Sequence, residues 1–283
     1  MRIALLPLAL VLAAPLSAQP AALPAQPAPV AADGEPSFVR LADLATRAGV
    51  VAAVEIRRAV RLKGADAAGV APGSTRFYVQ ARVETLLQGA GGLPAEVSYL
   101  ADVPLDARGR APKLKAMRVL VLADRVPDRP AELRLVAPDA QFDRTPATER
   151  RLRSLLTELV APDAPAAITG IANAFHVPGS LPGERETQIF LTTASGRPVS
   201  LNVLRRPGET PRWAVALGEM VDEAAAPPAR DTLLWYRLAC TLPAALPAAS
   251  TADLSETDAA AAQADYHLVV QGLGACTRNF QPD

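Results

Sequence analysis

The chain is short of the residues that carry most enzymatic chemistry. Among its 283 residues, two are histidine, two are cysteine and three are lysine. A protein metal site needs several nitrogen, sulfur or oxygen ligands held close together. With only His176 and His267 as imidazoles, no metal and no other cofactor is expected. Aromatic residues make up 4% of the chain, too few for the rows of stacking rings that grip single-stranded nucleic acid. There is no Gly-x-Ser-x-Gly elbow, His-Glu-x-x-His, Cys-x-x-Cys, phosphate-binding Gly-x-x-x-x-Gly-Lys-Ser/Thr loop or Gly-x-Gly-x-x-Gly. Gly89-Ala90-Gly91 and Gly272-Leu273-Gly274 are fragments of the last, and neither stands between a strand and a helix.

Long apolar runs are also missing. Ile3 to Ala14 is apolar but about a dozen residues long, below the roughly 20 that span a bilayer. Arg2 ahead of it and Pro15-Leu16-Ser17-Ala18 after it read as a secretory signal, residues 1–18, cut after Ala18. Residues 19–36, rich in Ala, Pro and Gln, then read as a disordered tether. The expected mature protein is soluble, spans no membrane, and resides in the periplasm or outside the cell. In that oxidising setting an even pair of cysteines favours a disulfide, Cys240 with Cys276. Closing a loop of about 36 residues stabilises by roughly 3.8 kcal/mol in the chain-entropy treatment.

Charge is balanced overall and uneven locally. Residues 38–137 hold 16 Lys and Arg against 10 Asp and Glu, and residues 138–283 hold 12 against 17. Such polarity can steer a charged partner, or the two halves can face each other and cancel.

Two domains are expected, 37–140 and 141–283. Ser37 caps a short helix bearing Phe38, Leu41, Leu44 and Ala45, closed by Gly49. Five strand-like segments follow. Val54, Ile56, Val60 and Leu62 alternate with charged residues, with a slip in phase at Arg58-Ala59 that suits a bulge. Phe77, Val79, Ala81 and Val83 alternate more cleanly, and Val97, Tyr99 and Ala101 share one face. Met117 to Ala123, interrupted only by Arg118, reads as apolar on both faces, and Leu133 and Leu135 complete the set. Five short strands in about 100 residues predict a small closed barrel.

Over residues 41–137 this pattern resembles the OB-type barrels of secreted netrin-like modules. The resemblance rests on Ala48-Gly49-Val50-Val51 and on the strand from Phe77 to Gly89. It implies an extracellular binding module, and in one branch of that family a peptidase inhibitor. That branch inhibits through an N-terminal cysteine, and this chain has no cysteine before Cys240.

The second half starts with Thr145-Pro146, a cap and first-turn proline ahead of the stripe Leu152, Leu155, Leu156 and Leu159. Strands are expected at 168–177, 186–194, 198–205 and 212–217. Asp231 is read as the cap of a segment from Leu233 to Leu242 that suits a helix or a strand, with the four-residue spacing of Leu234 and Leu238 favouring the helix. A final helix carries Ala259, Ala262, Tyr266, Val269, Val270 and Leu273. The fold class is therefore α+β: an OB-like five-stranded barrel, then an antiparallel sheet with packed helices.

Six residues stand out as binding candidates. His176 ends a strand ahead of Val177-Pro178-Gly179-Ser180, where an imidazole can serve a nucleophile such as Ser180 or simply anchor the loop. Arg205 and Arg206 with Trp213, and Trp235-Tyr236 beside Arg237, join cations to rings that can grip an anionic or sugar ligand, or else pack a core. The loop from Arg108 to Lys115 carries four positive charges and is read as solvated or in contact with an anionic surface. The expected function is an exported binding or accessory protein without a catalytic motif, its partner an envelope protein or an anionic ligand and not nucleic acid. The alternatives are an envelope hydrolase using His176 and an inhibitor of a peptidase.

Overall fold

A computed structural model describes residues 35–218 and 226–277. The expected signal segment 1–18 and all but the last two residues of the tether lie outside the described residues. Those two dock on the body of the protein: the Thr145 hydroxyl donates to Glu35 at 2.9 Å.

Helix α1, Phe38–Ala45, begins where Ser37 accepts a hydrogen bond from the Arg40 amide. Phe38, Leu41 and Leu44 are buried, as the 3-to-4 spacing requires. The helix stops at Thr46, short of Gly49, whose amide is taken by the Asp124 carboxylate.

Strands β1 (Val50–Arg61), β2 (Ser74–Gln88), β3 (Glu96–Pro104), β4 (Arg118–Val126) and β5 (Arg129–Leu135) form a closed five-stranded, OB-like barrel. β1 pairs with both β2 and β4, which joins the two edges, and β3 meets β5 in parallel at Ser98 and Glu132. The β1–β2 ladder slips at three places, between Val51 and Ala52, Ala53 and Val54, and Ile56 and Arg58, and such irregularities bend a strand. Val119 to Ala123 are all buried, so the central stretch of β4 has no solvent face. A short β6, Gln141–Asp143, adds to β4 and brings Gln141 beneath Tyr99, whose hydroxyl donates to it at 2.7 Å. Burial of Tyr99 pushes its phenol well above the ordinary tyrosine range.

Helix α2, Pro146–Val160, is capped by Thr145, which accepts from the Thr148 amide. It buries Leu152, Leu155 and Leu156, each side chain stabilising by about 1.5–3 kcal/mol. The second sheet is an antiparallel meander of β7 (Ile168–Pro178), β8 (Arg185–Thr193), β9 (Val199–Arg205) and β10 (Arg212–Ala216). Helix α3, Leu233–Ala239, starts at Thr232 and not at Asp231, because the Thr232 hydroxyl accepts from the Trp235 amide while Asp231 takes a positive φ of 60°. Helix α4, Glu256–Leu273, packs on one face of the sheet, and Cys240–Cys276 joins the ends of α3 and α4 with S–S 2.07 Å. α1 packs against α2 and α3, so one continuous apolar core runs through both halves. Among the described residues, no helix is long and apolar enough to cross a membrane.

Candidate functional site

Strand alternation sorts the second sheet into two faces. Ala174, His176, Thr187, Ile189, Leu201, Val203 and Arg205 share the face that meets α4, as the register of β7, β8 and β9 dictates. Phe175, Val177, Gln188 and Phe190 share the other.

On the α4 side a polar chain runs across the sheet. The Thr187 hydroxyl donates to Asp265 Oδ2 at 2.6 Å, and Arg205 Nε donates to Asp265 Oδ1 at 2.5 Å. Thr187 and Asp265 are fully buried, and Arg205 is mostly so. The single threonine proton points at the carboxylate, so Thr187 can only accept from the histidine. His176 Nδ1, 2.8 Å away, is then the donor.

This polarity matters chemically. A base that activates a hydroxyl must receive that hydroxyl's proton. Here the hydrogen bonds are donated the other way, from imidazole to threonine and from threonine to Asp265. Thr187 has no exposed surface for a substrate to reach. Ser180 lies exposed in the loop beyond the strand, and His176 is engaged by Thr187 instead. The chain of groups binds α4 to the sheet; as a nucleophile relay it is incomplete.

The other candidates are dispersed. Arg206 is exposed just past the end of β9. Trp213 is half-buried under α4, its ring against Gly272. Trp235 is core: its indole N–H donates to the Leu273 carbonyl at 2.9 Å, Phe38 meets it edge-on, and Arg230 lies 4.9 Å over the ring. Tyr236 donates to Asp43 on α1 at 2.7 Å. The structure therefore brings His176 and Arg205 together and leaves the tryptophans and Tyr236 elsewhere. Burial pushes the Tyr266 phenol up to about 12, and its hydroxyl donates to the Pro243 carbonyl at 2.7 Å. Among the described residues no group of three or more His, Cys, Asp or Glu is arranged to hold a metal ion.

Sequence reasoning did not single out Asp265, Thr187 or Arg185. Asp265 had one signal: it occupies the apolar stripe of α4, one residue from Tyr266 and four from Val269. A carboxylate on a buried helix face implies a cation opposite it.

Three surface features complete the picture. The outer face of the β7–β8 hairpin exposes Phe175 (50%) and Val177 (60%), with Leu181 (60%) in the connecting turn. Phe190 steadies Phe175 edge-on at 5.7 Å. On the barrel, Val60, Tyr78 and Leu100 form an exposed row in register across β1, β2 and β3. A cleft of about 180 Å³ between β2 and α2 is lined by Leu87, Gln88, Leu156 and Val160, smaller than a usual small-molecule pocket. The basic loop is ordered by its own contacts: Asp106 accepts from the Arg108 and Arg110 amides, and Leu114 is buried.

No protein-family model matches the chain, and no curated protein matches it.

Proposed function

We propose that the chain is an exported, periplasmic or secreted binding or accessory protein that docks a partner protein and carries out no catalysis. The observation that carries this reading is the exposed apolar surface of the β7–β8 hairpin. Phe175, Val177 and Leu181 are each at least half exposed in a chain with few aromatic residues to spare. Clustered exposed apolar side chains are costly in water and mark interaction surfaces. The disulfide and the apolar start of the chain support export.

Site-specific photo-crosslinking in the intact cell tests it. A crosslinker at position 175 or 181 yields a discrete protein adduct, and one at exposed Glu96 on the barrel does not. The adduct disappears when Val177 is changed to Ser. Absence of any adduct at 175 and 181 would sink the proposal. The mass of the recovered chain reports export, with an N-terminus near Gln19.

A second reading, an envelope hydrolase, draws on one observation: His176 Nδ1 lies 2.8 Å from the Thr187 hydroxyl. It predicts that His176→Ala abolishes an activity on envelope substrates with little change in thermal stability. A destabilised variant with no activity to lose removes it.

A further inference from the structure

We propose that Arg185 and Arg205 bind a small oxyanion, a phosphate or carboxylate group, at the hairpin end of the second sheet beside α4.

Arg185 and Arg205 stand directly opposite each other in the β8–β9 ladder. Both lie on the face that α4 covers, since Arg205 reaches Asp265 there and Arg185 shares the parity of Thr187. Like charges directly opposite on a sheet repel each other. One buried carboxylate serves the pair, and it is already committed. Asp265 takes the Thr187 hydroxyl on one oxygen and Arg205 Nε on the other. The corner thus holds two guanidinium groups against one carboxylate, with the His176 imidazole alongside.

Arg185 is the unbalanced member. Its Nε is shielded from solvent and has no hydrogen-bond partner. Among the described residues no carboxylate pairs with it, although Glu184 and Glu186 are its neighbours in sequence. Glu186 belongs to the opposite face, and the Glu184 carboxylate rests over the Gly179 backbone, close enough that a side chain at 179 would collide with it. A guanidinium nitrogen withdrawn from water without an acceptor is a donor waiting for one. Arg205 uses only Nε toward Asp265, which leaves its terminal nitrogens available.

Among the described residues, the one buried polar side-chain atom without a partner at this corner is a donor, Arg185 Nε. That chemistry selects an oxyanion over a metal ion or an apolar ligand. Two forked guanidinium groups suit the paired oxygens of phosphate or carboxylate. The inference does not depend on the hairpin's outer face or on the partner proposed for it.

The test is calorimetric titration of the full chain at low ionic strength with inorganic phosphate and, separately, with succinate. Wild type, Arg185→Gln, Arg185→Lys and the exposed-site control Arg206→Gln are compared. Saturable binding with a dissociation constant of about a millimolar or below is expected for at least one anion. Arg185→Gln weakens it at least ~10-fold, Arg185→Lys weakens it less because the charge stays, and Arg206→Gln leaves it unchanged. Sedimentation with phosphatidylglycerol vesicles separates a lipid phosphate from a free one: vesicle binding lost in Arg185→Gln assigns the headgroup. No binding of either anion or of vesicles, or binding indifferent to Arg185→Gln and Arg185→Lys, overturns the inference.

Discussion

Tyr236 on α3 donates its hydroxyl to Asp43 on α1 at 2.7 Å, a contact between residues 193 apart in sequence. It ties the helix that opens the barrel half to the helix that carries one end of the disulfide. Removing the hydroxyl with Tyr236→Phe leaves the ring in place and costs about 1 kcal/mol. Urea unfolding monitored by far-ultraviolet circular dichroism measures it. An unchanged midpoint would mean that the bond contributes nothing net.

Asp265→Asn is expected to be far more damaging. It strips the counter-charge from mostly buried Arg205 and disrupts the bond from Thr187. Breaking one partner out of a buried pair costs about 3–5 kcal/mol. Thr187→Val removes one hydroxyl and leaves the ion pair, so it should cost clearly less. Chemical denaturation of both variants, ranked against each other, decides whether the pair or the hydroxyl dominates.

Gly272 tests close packing. A methyl group at that position would lie 2.7 Å from Nε1 of Trp213 and 3.0 Å from two further ring atoms. Alanine favours a helix over glycine by about 1 kcal/mol. Overpacking against a ring held in β10 costs about 1–3 kcal/mol, so the steric loss should win. Gly272→Ala is expected to lower the melting temperature and to alter tryptophan fluorescence as Trp213 is displaced. A higher melting temperature would show that the ring moves aside freely.

Reducing Cys240–Cys276, or replacing both residues with serine, should lower stability by about 3–4 kcal/mol, because the unfolded chain regains the freedom of a 36-residue loop. Thermal unfolding with and without reductant reads this directly. Equal melting temperatures would assign the bond to some role other than stability.

Glu149 supplies the pH dependence. The Arg144 guanidinium, 2.6 Å from its carboxyl, and then Arg153 hold its pKa at about 2, below the ordinary 4.5. A depressed carboxylate stabilises the fold above the unfolded value and loses that contribution as pH falls through the folded one. Wild-type stability should therefore decline between about pH 4.5 and pH 2, and the decline should be shallower in Glu149→Gln. Melting temperature against pH for the two proteins is the measurement. Parallel curves would place the acid sensitivity elsewhere.

Much of the architecture was legible in the sequence because its causes are local. Ser37 and Thr145 announce helix starts through side chains that reach an amide three residues on. The Phe77 to Val83 alternation defines a strand with one buried face, and the all-apolar Val119 to Ala123 stretch defines one without a solvent face. The even count of two cysteines pointed to their pairing. Where two local signals competed the reading slipped: Asp231 and Thr232 both suit a cap, and only the backbone turn at Asp231 decided for Thr232.

What the tertiary structure alone decided is which distant residues meet. Arg185 faces Arg205 because the turns on either side of β8 set the register, and a one-residue slip of β8 would have turned Arg185 to the other side of the sheet. Asp265 meets Arg205 because α4 lies on that face, 60 residues further along the chain. Nothing in composition or periodicity reports such a meeting, since the energy of a contact depends on where both partners end up. The sequence by itself determined most of the elements and the cysteine pair, while the two halves share one continuous core. Tertiary packing decided that His176 is joined to a buried ion pair, and that among the described residues the Nε of Arg185 beside it has no acceptor.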